Sequence, residues 1–216
     1  MSWRLSPPIE TILAKGRDGV PLERDEALQL VRLDLESRET YALMEAANHL
    51  SRATFGDKGE MHFHIGLNVE PCPMDCAFCS LTRRAGLFTE AIEFPEADIL
   101  AWARQGAAQG ADALNLMTTG TYPFARLPEV GRWLRREVDV PLVANTRDLN
   151  HAEAEQLLDA GFVGCYHAVR LGEGTDTPFR PERRIQTIRV LREVGLQWMN
   201  CVEPVGPEHT AEEMVD

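Results

Sequence analysis

Apolar positions change their period near residue 60, and the change divides the chain. Before that point they recur at three-four spacing, with Ala27, Leu28 and Val31 on one face and Leu43, Ala46, Ala47 and Leu50 on another. This spacing predicts amphipathic helices over 1–60. From 61 to 69 every second residue is apolar, the period of a strand. Helical and strand patterns then alternate. A helix is predicted over 95–109 with Pro95 in its first turn, a strand over 111–117, a helix over 127–138 and a compact strand over 141–145. Asn150 followed three places on by Glu153 reads as a capping box, and Gly161 as the end of that helix. A strand over 162–170, a helix between Pro181 and Gly195 and a fifth strand over 196–202 complete the series. Thr210 and Glu213 form a further capping pair.

Five strands interleaved with four helices predict an α/β fold, in which right-handed crossovers place each helix outside a parallel sheet. Curled round, the series makes a partial (β/α) TIM-type barrel whose functional loops follow the strand C-termini. The pattern assigns 1–60 to a helical N-terminal leader and 61–216 to the barrel core. Asp216 falls where a fifth helix has just begun, so a barrel lacking its C-terminal part is expected.

Composition narrows the function. The 216 residues are 44% hydrophobic and 26% charged, an ordinary globular balance. A net charge of −12 would repel a phosphate backbone, which argues against nucleic acid as a partner. No stretch approaches the roughly 20 apolar residues of a membrane span, and the opening eight residues lack the apolar core of a signal peptide. A cytoplasmic protein with no membrane partner is expected. Five cysteines, three of them within eight positions, suit metal binding in a reducing compartment better than disulfides.

Those three are Cys72, Cys76 and Cys79, spaced Cys-x3-Cys-x2-Cys directly after the first strand. Three thiolates can anchor a four-iron cluster and leave one iron open to a ligand from solution. The alternative is a zinc site completed by His62, His64 or His167, although structural zinc loops more often pair cysteines at two-residue spacing.

The cysteine spacing, with Phe78 just before the last thiol, resembles the radical S-adenosylmethionine (SAM) superfamily. Residues 20–216 are similar to its branch of biotin synthase, the hydrogenase maturase HydE and methylornithine synthase. The resemblance implies a [4Fe-4S] cluster on Cys72, Cys76 and Cys79, with SAM on the open iron. It further implies reductive cleavage of SAM to a 5′-deoxyadenosyl radical, which takes a hydrogen atom from a small-molecule substrate, and an electron donor such as flavodoxin or ferredoxin. The same likeness places Thr118, Thr119 and Gly120 at the methionine amino group, although no Glu follows Gly120. Arg170 falls at the SAM carboxylate and Glu173 at a ribose hydroxyl, with Asp176 a weaker candidate of that kind. Val205 and Gly206, with Val202, fall beside the adenine, and Glu203 at SAM or substrate. Plainer roles stay open: a strand-to-loop turn for 118–120, a mutual ion pair for Arg170 and Glu173, and a core position for His167. On the substrate side the candidates are Asn115, Asn145, Arg147, Tyr166 and Asn200. Biotin synthase holds a second cluster on inner strands where this chain has Asn115, Val143 and Met199, with Cys165 and Cys201 out of step. Rearrangement, cleavage or cofactor maturation is therefore expected over sulfur insertion.

Overall fold

The computed structural model describes residues 4–216; the first three residues, part of the segment read above as lacking a signal-peptide core, lie outside the described residues. The chain forms two compact units, one comprising the residues up to Gly59 together with Val205–Asp216, the other Glu60–Pro204.

In the first unit, helices α1 (Pro7–Arg17), α2 (Arg24–Val31) and α3 (Arg38–Phe55) follow in order. Two prolines open α1, Ser37 accepts from the Thr40 amide to cap α3, and Gly56 closes α3 in the left-handed region at φ 62°. Ile9, Ile12 and Leu13 of α1 pack on Ala46 of α3 as a small separate core. The expected faces are only partly buried: Leu28 and Ala46 are covered, while Val31 and Leu50 are exposed.

The second unit opens with β1 (His62–Gly66) and a two-residue strand β2 (Asn68–Val69), which pairs antiparallel with β3 (Ile92–Glu93). The series α4 (Glu96–Ala108), β4 (Ala113–Met117), α5 (Arg126–Glu137), β5 (Leu142–Asn145), α6 (His151–Asp159), β6 (Phe162–Tyr166), α7 (Pro181–Val194) and β7 (Gln197–Met199) follows. All neighbours in the five-stranded sheet β1-β4-β5-β6-β7 run parallel. This is the α/β alternation expected, as an open sheet of five strands. The Asn150–Glu153 capping box forms, and Gly195 closes α7 at φ 90°.

Each long strand prediction is shortened for a physical reason. The run 61–69 breaks at Gly66, beyond which Leu67 stays bonded to Met117 while Asn68 and Val69 turn to β3. The runs 162–170 and 196–202 stop at Tyr166 and Met199 because side chains replace the ladder, as where Asn200 Oδ1 accepts from the Val169 amide at 2.9 Å. Strand alternation sends Leu114, Leu116, Leu142, Ala144 and Phe162 into the core with Leu127, Leu134, Leu157 and Leu191 of the helices. Asn115 and Val143 face the other, concave side.

The tail carries α8 (Ala211–Val215), opened by the Thr210–Glu213 capping box. It packs with α2, and two ion pairs, Arg24 with Asp216 at 2.5 Å and Arg32 with Glu212, account for its grouping with the N-terminal helices. Among the described residues no helix is long and apolar enough to cross a membrane.

Candidate functional site

The cysteine loop leaves the sheet edge after β2 and is folded on its own backbone. Cys72 N–H donates to the Leu81 carbonyl at 2.8 Å, Cys79 N–H to Cys76 at 3.1 Å, and the Thr82 hydroxyl to the Cys79 carbonyl at 3.0 Å. Asp75 takes a left-handed conformation at φ 47°, unusual for a residue with a Cβ, and its carboxylate accepts from the Arg84 amide at 3.2 Å. A bond from Ala77 N–H to the Asp176 carbonyl, 2.8 Å, ties this loop to the turn after β6.

All five cysteines are free thiols. Cys72, Cys76 and Cys79 line one cavity of about 220 Å³ with Phe78, Met117, Thr118, Thr119 and Gly120, Asn145, and the three guanidinium groups of Arg147, Arg170 and Arg184. Burial raises the Cys76 pKa, and the neighbouring Cys79 and Cys72 raise it further. Three thiols gathered on one loop around one cavity suit a shared cluster. Gly120 keeps the strand end close to the loop: a Cβ there would sit 2.7 Å from Met74 Cγ and 3.7 Å from Cys72 Sγ.

The strand end of β4 is braced from the β1–β2 side. Thr119 N–H donates to Asn68 Oδ1 at 3.0 Å, and Asn68 Nδ2 donates to Thr119 Oγ1 at 2.7 Å. The hydroxyls of Thr119 and Thr121 both donate to one oxygen of Glu70. A carboxylate missing from the sequence after Gly120 is thus brought to this strand end by Glu70, two residues before Cys72. Register alone could not show this, because Glu70 and Thr119 are 49 residues apart.

The three arginines are held differently. Arg170 lies 5.7 Å from the Phe78 ring centroid, and its Nε is buried with no hydrogen-bond partner. Arg184, absent from the sequence-derived candidates because it lies within a helix pattern, reaches the cavity from α7. It donates to the Ala168 carbonyl at 2.9 Å and to Asp148 at 3.0 Å, and packs on Phe179. Arg147 is bound by Glu153 at 2.6 Å and stacks on Phe124.

Glu173 stands behind the cavity rather than on its wall. Its side chain is 1% exposed, accepts from the Thr177 hydroxyl at 2.5 Å and from the Arg170 amide at 3.1 Å, and lies 3.9 Å from both Arg170 and Arg184. Asp176 enters through its backbone carbonyl. Glu203 is exposed and receives the Tyr166 hydroxyl at 2.6 Å, while that hydroxyl lies 2.5 Å from the Cys201 thiol. Burial works to raise the Glu203 pKa, but hydrogen bonds from Cys201 and Tyr166 outweigh it and hold the carboxyl below its usual range. Val202 and Val205 are exposed, and Val205 and Gly206 belong to the helical unit. Asn200 is engaged with the Val169 amide.

None of the histidines weighed as a fourth zinc ligand lines the cavity. His62 contacts Glu60, His64 contacts Asn115 and Met117, and His167 is buried 3.5 Å from Asp148. Burial lowers the His167 pKa to about 3, with Arg184 and Arg170 adding to the effect. Among the described residues no three His, Cys, Asp or Glu side chains converge on a single metal-ion position. A four-iron cluster does not ask for that, because each thiolate binds a different iron.

No protein-family model matches the chain. A biotin synthase of Renibacterium salmoninarum is 28% identical over 210 residues, covering 92% of this chain and 60% of that protein. The crystal structure of methylornithine synthase superposes with a TM-score of 0.81 over 94% of this chain and 62% of that one, at 15% identity. That of HydG, a maturase of the [FeFe]-hydrogenase, gives 0.83 over 99% and 50%, at 11% identity. The unit Glu60–Pro204 is an open parallel α/β sheet with a three-thiol loop at the strand C-termini. The chain is thus similar in sequence to biotin synthases and shares its fold with methylornithine synthase and HydG. It spans 60% of the length of the biotin synthase it matches.

Proposed function

We propose that the chain is the catalytic portion of a radical SAM enzyme acting on a small molecule. The observation that carries this reading is one cavity at the strand C-termini lined by three free thiols and by Arg170 and Arg184. The donor set fits a [4Fe-4S] cluster: soft thiolates on a loop, and space kept by a residue with no side chain, Gly120. Cys72, Cys76 and Cys79 would hold it. With SAM bound, such a cluster supplies a 5′-deoxyadenosyl radical, given an electron from a flavodoxin- or ferredoxin-like donor.

The remaining residues bind and orient. Arg170, whose buried Nε lacks an acceptor, and Arg184 offer charge-assisted bonds to the SAM carboxylate. Thr118, Thr119 and Gly120, with the Glu70 carboxylate, form the surface for the ammonium group. Phe78 fixes the Arg170 plane from beneath. Glu173 acts through Arg170, whose loop it holds. Glu203, in the segment after β7 and bonded to Tyr166, remains the candidate for a contact to SAM or substrate, and Val205 and Gly206 for the adenine. Sulfur insertion is the weaker reading. Cys165 is sealed in the core on the helix side, where burial pushes its pKa up to about 12, and Cys201 is engaged with Tyr166.

Anaerobic reconstitution tests the proposal. Wild type is expected to bind about four irons and, once reduced with dithionite, to release 5′-deoxyadenosine from SAM. Cys72→Ala, Cys76→Ala and Cys79→Ala are each expected to lose both. Equal nucleoside yield from wild type and variants, or a colourless zinc-loaded protein indifferent to SAM, would sink it.

A further inference from the structure

Leu114 and Leu116 of β4 are fully buried on the helix side, so Asn115 between them faces the concave side of the sheet. It lies in register between His64 of β1 and Val143 of β5. Met117, two places on and on the same face, lines the cysteine cavity. His64 joins the two: its Nδ1 is 3.2 Å from Met117 Sδ and its Nε2 is 3.0 Å from Asn115 Nδ2.

The chemistry of these contacts orders the protons. A thioether has no hydrogen to give, so Nδ1 carries the ring proton and donates it to sulfur. Partial desolvation of the ring, with His62 nearby, lowers the His64 pKa and favours the neutral ring. Nε2 is then an acceptor, and Asn115 must turn its NH2 toward it. That leaves Oδ1 as a buried acceptor with no donor, on a residue only 1% exposed. Buried unpaired acceptors are uncommon. The histidine beside it is in contact with solvent.

We propose that Asn115, oriented by His64 and Met117, is a specificity site on the concave face that accepts a hydrogen bond from an N–H or O–H group of the substrate. The word substrate rests on the radical-enzyme reading, and the site itself does not. A carboxylate presented to Oδ1 would be repelled, whereas an amide, ammonium or hydroxyl would complete the pairing. The position fits the reaction: Met117 places the site next to the thiol-lined cavity, so a ligand anchored at Asn115 extends toward it.

The test uses the whole chain, with side-chain amide and imidazole NMR signals of Asn115 and His64 as reporters and pentylammonium, pentanamide and pentanoate as probes. The two donors are expected to shift both signals and to bind roughly tenfold more tightly than pentanoate, one net hydrogen bond. Asn115→Leu, which removes the acceptor at similar volume, is expected to erase that preference. Asn115→Asp, which keeps an acceptor and adds charge, is expected to favour pentylammonium over pentanamide. Equal affinity for the three probes in wild type, no shift with any of them, or a preference unchanged in both variants would overturn the proposal. None of these readouts requires iron, so failure of cluster reconstitution would sink the radical reading and leave this result standing.

Discussion

At the scale of single residues, burial converts several candidate ligands into supports. The family resemblance implies a ribose hydroxyl for Glu173, yet its carboxylate is enclosed and shared among Thr177, the Arg170 amide and two nearby guanidinium groups. Glu173→Gln leaves those donors poorly paired and is expected to cost about 1–3 kcal/mol in urea unfolding. His167 provides the pH signature. Its folded pKa of about 3 lies below the ordinary histidine value, so the unfolded chain takes up the proton first. Stability is therefore full above the ordinary histidine pKa and falls as pH drops toward 3. Between pH 7 and pH 5 the loss from this group is about 2 kcal/mol. A His167→Gln variant should show a flatter dependence of the urea midpoint over that window, and an unchanged slope would rule out His167 as its source. The three thiols stand out by their spacing, and Phe78, Arg170 and residues 118–120, which the family resemblance put forward, line the same cavity; Arg184 and Glu70 had no signal in the sequence. Their roles arise from contacts made across α7 and across the β1–β4 pairing.

At the scale of elements, hydrophobic period located the five strands of the parallel sheet and the four helices between them, because alternation at two and at three-four marks the two kinds of buried surface, but it gave no sign of the short strand β3. It overran at the ends. Strands continue in sequence until another group takes the ladder's hydrogen bonds, as Asn200 does for Val169. Close packing of a helix on the sheet also depends on a feature the period does not carry. Gly131 of α5 lies against Phe162 of β6, where a Cβ would overlap the ring. Gly131→Ala is expected to push α5 from the sheet and destabilise by about 1–3 kcal/mol, despite alanine's better helix propensity. A stabilised variant in calorimetry would show that the ring gives way instead.

For the whole molecule, the chain's beginning and end meet in one unit through Arg24 with Asp216 and Arg32 with Glu212. Both pairs are exposed, and exposed pairs contribute little. Replacing Arg24 and Arg32 together by Ala is expected to leave the thermal midpoint within error, with salt having no further effect; a clear drop would mean that the pairs, and not α2–α8 packing, hold the tail helix.

The sequence by itself determined the parallel α/β order, the cysteine loop after the first strand and the three thiols in it, because these depend on local period and on spacing along one segment. Tertiary structure alone brought Arg184 to the cavity and Glu70 to the end of β4, set the Glu173 carboxylate on the Arg170 amide, and left Asn115 with an unpaired oxygen on the concave face. Those outcomes depend on register and on distances between strands far apart in the chain, which no local pattern encodes.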